Sequence, residues 1–371
     1  MSITGKKALK LGLFLLALFL AAAGYVGGGL RSYQLYQQAY AFYGQGACGT
    51  EFTWSINSQA LASSSGSQQQ LISAFYTNLP SLLTVNYRSA TPQRITLSAE
   101  IPGFSQEQPI AVDATPGWRT QTFHPPILPG MIDALATVPY RDSQVILRVR
   151  DASGKSCEDS KPLRLLTSRA MSWLGPQGHD NADFLAAWVT PQDPAIRQLI
   201  DRATQRLKNN PTLYPGTSAM VGYAGSQQDV INQVNAIYDT LDQDYHLRYS
   251  NITIQYGQPA IENILLPKDV LQSGLGMCVE TTVTMAAAIE SLHMRPYIYI
   301  IPGHAFLGVA LGPESNERQF WETSLLGQGN TGSQANQQGD QEHDQSENAG
   351  QIIRVIDITA ERQQQNIWPM E

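Results

Sequence analysis

The 371-residue chain is poor in the residues that usually staple or charge a fold: it has three cysteines, and Asp, Glu, Lys and Arg together make up only 15% of it. Three thiols exclude a disulfide-dense scaffold and leave one cysteine over if two of them pair. No run of Lys and Arg follows Lys10, and the net charge is −7. Phosphate binding needs clustered cations, so nucleic acid is excluded as a partner. The six histidines, at 124, 179, 246, 293, 304 and 343, show no metal-ligand spacing with the cysteines. Neither a metal nor a cofactor is therefore expected. Internal repeats are absent, which excludes solenoid architectures. A long uncharged apolar run occurs once, from Leu11 to Leu30.

That run has the length of a membrane span, and Lys6, Lys7 and Lys10 precede it while only Arg31 follows. The expectation is a cytoplasmic N-terminus at 1–10, a single-pass transmembrane anchor or uncleaved signal at 11–30, and a periplasmic or otherwise extracytoplasmic remainder. A cleaved signal peptide ending at Ala21-Ala22-Ala23 is the rival, and it exports the same residues. In an exported chain Cys48 and Cys157, which flank one region, are expected to form a disulfide, with Cys278 standing apart.

Residues 31–47 carry aromatics at 33, 36, 40, 42 and 43, as a juxtamembrane helix or stalk would. From 48 to 168 short alternating runs such as Glu51–Ile56 and Gln144–Val149 are punctuated by Pro-Gly turns, the pattern of an immunoglobulin-like β-sandwich. A connector at 169–190 carries Trp173 and Trp188 and is expected to pack at the junction of the two parts. Asp193-Pro194 opens a helix to about Leu207, and Gln227–Leu241 reads as a second, with Val230, Val234, Ile237 and Leu241 on one face. Residues 327–350 contain no aliphatic side chain but Ala335 and Ala349, and a disordered insertion is expected there.

Chemistry concentrates around Cys278. Gly274 and Gly276 break regular structure before it, and Cys278 to Leu292 reads as a helix whose unpaired N–H groups would favour a thiolate. Three apolar runs follow, at Tyr297–Ile301, at Ala305–Leu311 after Pro302-Gly303-His304, and around Phe320-Trp321-Glu322. An antiparallel meander would bring His304 and Glu322 to the helix start, completing a nucleophile, a base and a carboxylate that orients the imidazole. Glu280 reads as a first-turn helix charge. The Cys278 N–H is the natural first member of an oxyanion hole, and Gln255 and Asn263 are candidates for the second, with Tyr249 and Tyr256 in the same stretch.

The segments GMCVETTVTMAAAIESLHMRP, PGHAFLGVAL and FWETSLL together resemble the catalytic core of the transglutaminase-like superfamily, in its membrane-anchored bacterial form, over roughly residues 190 to 371. Leu265–Leu271 looks like that family's lead-in to the cysteine, and Val355–Ile358 like its closing strand. The resemblance implies Cys278 as nucleophile, His304 as base and Glu322 as orienting acid, with glutamate in place of the commoner aspartate. The expected fold class is α+β: a papain-like, transglutaminase-like domain at 191–371, preceded by an all-β sandwich and an N-terminal transmembrane helix. The expected function is an exported, membrane-tethered cysteine enzyme. It would act on amide or peptide bonds through an acyl-thioester, as an amide hydrolase, protease or transglutaminase, on a protein, peptide or peptidoglycan-linked substrate. The alternative is an envelope binding or scaffold module whose transglutaminase-like domain is inactive.

Overall fold

The computed structural model describes residues 49–62, 68–175, 178–258 and 260–370. In chain order these form β1 (Thr50–Ile56), β2 (Gln69–Leu71), α1 (Ser73–Asn78), β3 (Leu83–Ser89), β4 (Gln93–Glu100), β5 (Gln108–Ala114), β6 (Arg119–Phe123), α2 (Met131–Ala136), β7 (Tyr140–Arg150) and β8 (Ser156–Leu166). Then come β9 (Ala170–Ser172), α3 (Pro194–Asn209), α4 (Gln227–Gln243), β10 (Arg248–Tyr249), β11 (Ile261–Asn263), α5 (Pro267–Ser273), β12 (Leu275–Gly276) and α6 (Cys278–Ser291). The last elements are β13 (Pro296–Ile301), β14 (His304–Ala310), β15 (Arg318–Trp321), α7 (Gly332–Asn348), β16 (Arg354–Asp357) and α8 (Ile358–Gln364).

Two compact units share this chain. The first takes the residues through Asn57, Ser81–Leu128 and Gln144–Lys161; the second takes Ser58–Pro80, Pro129–Ser143 and everything from Pro162. In the first unit β1 and β6 flank β3, and β5 and β7 flank β4, all antiparallel. Strict alternation in β1 and β3 buries Phe52, Trp54, Ile56, Leu83, Val85 and Tyr87 on one face. The expected sandwich at 48–168 thus loses 58–80, 129–143 and the residues from 162, which belong to the second unit. Phe75 of α1 shows the reason: it is fully buried and packs on Phe184 with ring centroids 4.4 Å apart, a long-range contact that no local pattern announces.

The second unit is mixed α and β. Its sheet has the order β15-β14-β13-β16, antiparallel throughout, and α6 packs across β13 and β14. Pro302 and Gly303, the latter at φ 74°, form the two-residue turn that pairs Ile301 with His304 and makes His304 the first residue of β14. The helices read at 194 and 227 are α3, capped by Asp193 through the Ala195 N–H, and α4, opened by a Ser226/Asp229 capping box. Trp173 and Trp188 are fully buried in the second unit's own core, where Trp173 Nε1 donates to Glu262 Oε2 at 2.6 Å and Trp188 Nε1 to the Ile264 carbonyl at 3.0 Å.

Two further expectations are corrected, and a third lies partly outside the described residues. Among the described residues no helix is long and apolar enough to cross a membrane, so no described element supplies the transmembrane feature; residues 11–30 and 31–47 lie outside the described residues. Cys278 is free and Cys157 is disulfide-bonded; Cys48, the other end of the expected bridge, lies outside the described residues. The expected disordered insertion at 327–350 contains α7, a helix of 17 residues. Thr331 and Gln334 form its capping box. Its small residues then let it close on the edge strand: a Cβ on Gly339 would lie 2.5 Å from the Phe320 backbone, and one on Gly332 2.5 Å from the Asn235 carbonyl oxygen.

Candidate active site

Cys278 is the first residue of α6 and is fully buried. The turn before it is held by Glu280, whose Oε2 accepts from the Met277 N–H at 2.9 Å and whose Oε1 accepts from the Leu265 N–H at 2.8 Å. Burial raises the Glu280 carboxyl above the ordinary glutamate range, and these two donors oppose the rise. Gly276 is needed for the close pass of this turn, since a Cβ there would lie 3.0 Å from Thr281 Cγ2.

His304 Nε2 lies 2.9 Å from Glu322 Oε2, with the histidine side chain 20% exposed and the carboxylate 6% exposed. Cys278 lies on the ring's other side, near enough to act on its titration. With Nε2 engaged by Glu322, Nδ1 is the nitrogen left to face sulfur. Burial works against the charged ring, but Cys278 and Glu322 outweigh it and push the imidazole up to about 10. His304 is thus paired with Glu322 and neighbours Cys278 at a helix N-terminus.

The acid is fixed from several sides. Glu322 Oε1 accepts from the Ser324 N–H at 2.7 Å, its own N–H donates to the Ala335 carbonyl of α7 at 2.9 Å, and Thr323 Oγ1 lies 2.8 Å from Thr281 Oγ1 and 3.1 Å from Thr282 Oγ1 of α6. These threonines tie the turn after Glu322 to the N-terminal part of α6. Glu322 itself sits past the end of β15, at the N-cap of a 3-10 turn, rather than within the strand.

Gln255 and Asn263 are placed elsewhere. Gln255 is exposed and its side chain donates to the Thr253 carbonyl, while Asn263 is an exposed residue of β11 opposite Ala170. Tyr256 donates to Asp180 Oδ2 at 2.9 Å. Tyr249 is the side chain of this stretch that reaches the thiol. β10 and β12 pair in parallel with Tyr249 opposite Gly276, and the Ser250 N–H donates to the Gly276 carbonyl at 2.7 Å. On its other side the Tyr249 N–H donates to the Leu326 carbonyl at 3.2 Å, just after the acid turn. The Tyr249 side chain lies near Cys278, and burial followed by the nearby Cys278 and Glu322 charges pushes its phenol up to about 12. A two-residue strand carries no periodicity, so no sequence signal separated Tyr249 from its neighbours.

Among the described residues there is no group of three or more His, Cys, Asp and Glu side chains able to hold a metal. Compared with known proteins, the chain matches no family model and no curated protein.

Proposed function

We propose that the second unit is a cysteine-dependent acyl-transfer enzyme acting on amide or peptide bonds. The single observation that carries this reading is the imidazole of His304, 2.9 Å from Glu322 Oε2 and beside Cys278 at the first position of α6. In this mechanism His304 takes the thiol proton and Glu322 stabilises the imidazolium. The thiolate attacks the carbonyl carbon, and the imidazolium returns its proton to the departing amine. Water or a second amine then releases the acyl group from sulfur, giving hydrolysis or transamidation. The transglutaminase-like motifs around Cys278, His304 and Glu322 support the same reading, with a protein, peptide or peptidoglycan-linked substrate.

The test is acyl-enzyme trapping. Mixed with p-nitrophenyl acetate and quenched in acid, the wild-type chain should gain one acetyl group on Cys278 by peptide mass mapping, and Cys278→Ala should gain none in that peptide. Equal acetyl incorporation elsewhere, with Cys278 unmodified, would sink the reading. A second reading, a binding or scaffold module that does not turn over, is favoured by the complete burial of Cys278; it predicts that the thiol stays unacylated.

A further inference from the structure

An acyl-transfer site needs two donors aimed at the oxygen that becomes negative when sulfur attacks. The backbone supplies one: the Cys278 N–H is at the first position of α6, where helical N–H groups have no acceptor within the helix. The second must come from a side chain that reaches the sulfur, has a proton to give, and is not committed elsewhere. Tyr256 is bound to Asp180, Glu280 is bound to the Met277 and Leu265 N–H groups, and Gln255 and Asn263 are exposed away from the thiol. Tyr249 meets all three conditions. Its backbone is stitched to the nucleophile turn through Gly276 and to the acid turn through Leu326, so its position follows both halves of the site.

Resting on the acyl-transfer reading above, we propose that Tyr249 is a catalytic residue: its phenol O–H, which lies near Cys278 in the resting site, donates to the substrate oxyanion as the tetrahedral intermediate forms. As the new S–C bond forms, the C=O π pair moves onto oxygen, which accepts hydrogen bonds from the Tyr249 O–H and the Cys278 N–H. When the C–N bond breaks, the pair returns to the carbonyl and the His304 imidazolium proton leaves with the amine. The phenol proton is never transferred, which agrees with its being pushed up to about 12.

The experiment compares two reagents on the full chain. Iodoacetamide alkylates a thiolate by displacement at a saturated carbon and makes no oxyanion, whereas p-nitrophenyl acetate acylates it through one. Both rates are taken on the plateau of their pH profiles, so any change in thiol titration cancels. Tyr249→Phe keeps the ring and removes only the donor, and should lower acylation about 10²-fold while leaving alkylation within a factor of about two. Unchanged acylation would overturn the proposal, and so would an equal fall in both rates, which marks a structural role. Failure of the underlying reading looks different: the wild-type thiol itself would then resist acylation, and Tyr249→Phe would have nothing to lower.

Discussion

Helices α6 and α7 serve the same four-stranded sheet and could hardly differ more in composition. Twelve of the fourteen residues of α6 are buried, and its run Val283, Met285, Ala286, Ala287, Ile289 fills the core against β13 and β14. α7 (GSQANQQGDQEHDQSEN) buries four residues, none larger than serine. A helix gains most of its stability from the apolar face it buries, and α7 has almost none. It is held instead by close approach and by hydrogen bonds to the edge strand. Asn336 Nδ2 donates to the Phe320 carbonyl at 2.8 Å, Asp340 Oδ1 accepts from the Phe320 N–H at 3.0 Å, and His343 stacks on the Phe320 ring at 3.8 Å. Asn336 and Asp340, one turn apart, thus satisfy the strand as a neighbouring strand would, and the free edge of β15 is covered. A polar helix can therefore be structural when its polarity is spent on backbone partners.

If that contrast is right, the two helices should fail by different mechanisms. The largest effect is expected in α6: Ile289→Ala leaves a cavity in a packed core and should cost about 2–5 kcal/mol in urea unfolding. A loss under about 1 kcal/mol would mean the core collapses around the gap. Next comes Gly339→Ala in α7. Adding one methyl group there should cost about 1–3 kcal/mol, because its neighbour is the Phe320 backbone, which cannot rotate away. Alanine normally favours a helix over glycine by about 1 kcal/mol, so a stabilised variant would show that α7 is not seated on β15. Smallest is Thr331→Ala, which removes the N-cap of α7 and should cost about 1 kcal/mol, read from the same transition.

The same contrast explains what was legible in the sequence. Apolar spacing, the Pro302-Gly303 turn and the glycines before Cys278 gave the α6, β13, β14 and β15 order, and with it the pairing of His304 with Glu322. What was not legible depended on contacts rather than period. α7 has the composition of a disordered segment, and only its Thr331-x-x-Gln334 cap and the spacing of Gly332, Ala335 and Gly339 hint at a helix with a small-residue face. Residues 58–80 and 129–143 look like parts of a β-domain because they interrupt its strands, yet Phe75 and Leu135 are fully buried residues of segments that belong to the second unit. Tyr249 was one of several polar side chains before the cysteine until its pairing with Gly276 set it apart.

The two helices meet at Glu322: α6 carries Cys278 at its start, and the Ala335 carbonyl of α7 accepts from the Glu322 N–H. The coupling of Cys278, His304 and Glu322 also sets a pH dependence. The folded His304 is raised from its ordinary 6.5 to about 10, so its charged form contributes stability that is fully present below about 6.5 and is lost as pH rises through about 10. The most direct measurement is the rate of Cys278 alkylation by iodoacetamide from pH 5 to 10, in wild type and in His304→Ala. The account predicts that the wild type labels faster than the variant throughout the range in which His304 holds its proton, up to about pH 10, because the imidazolium favours the thiolate beside it. Profiles that coincide, both following an ordinary thiol, would contradict it.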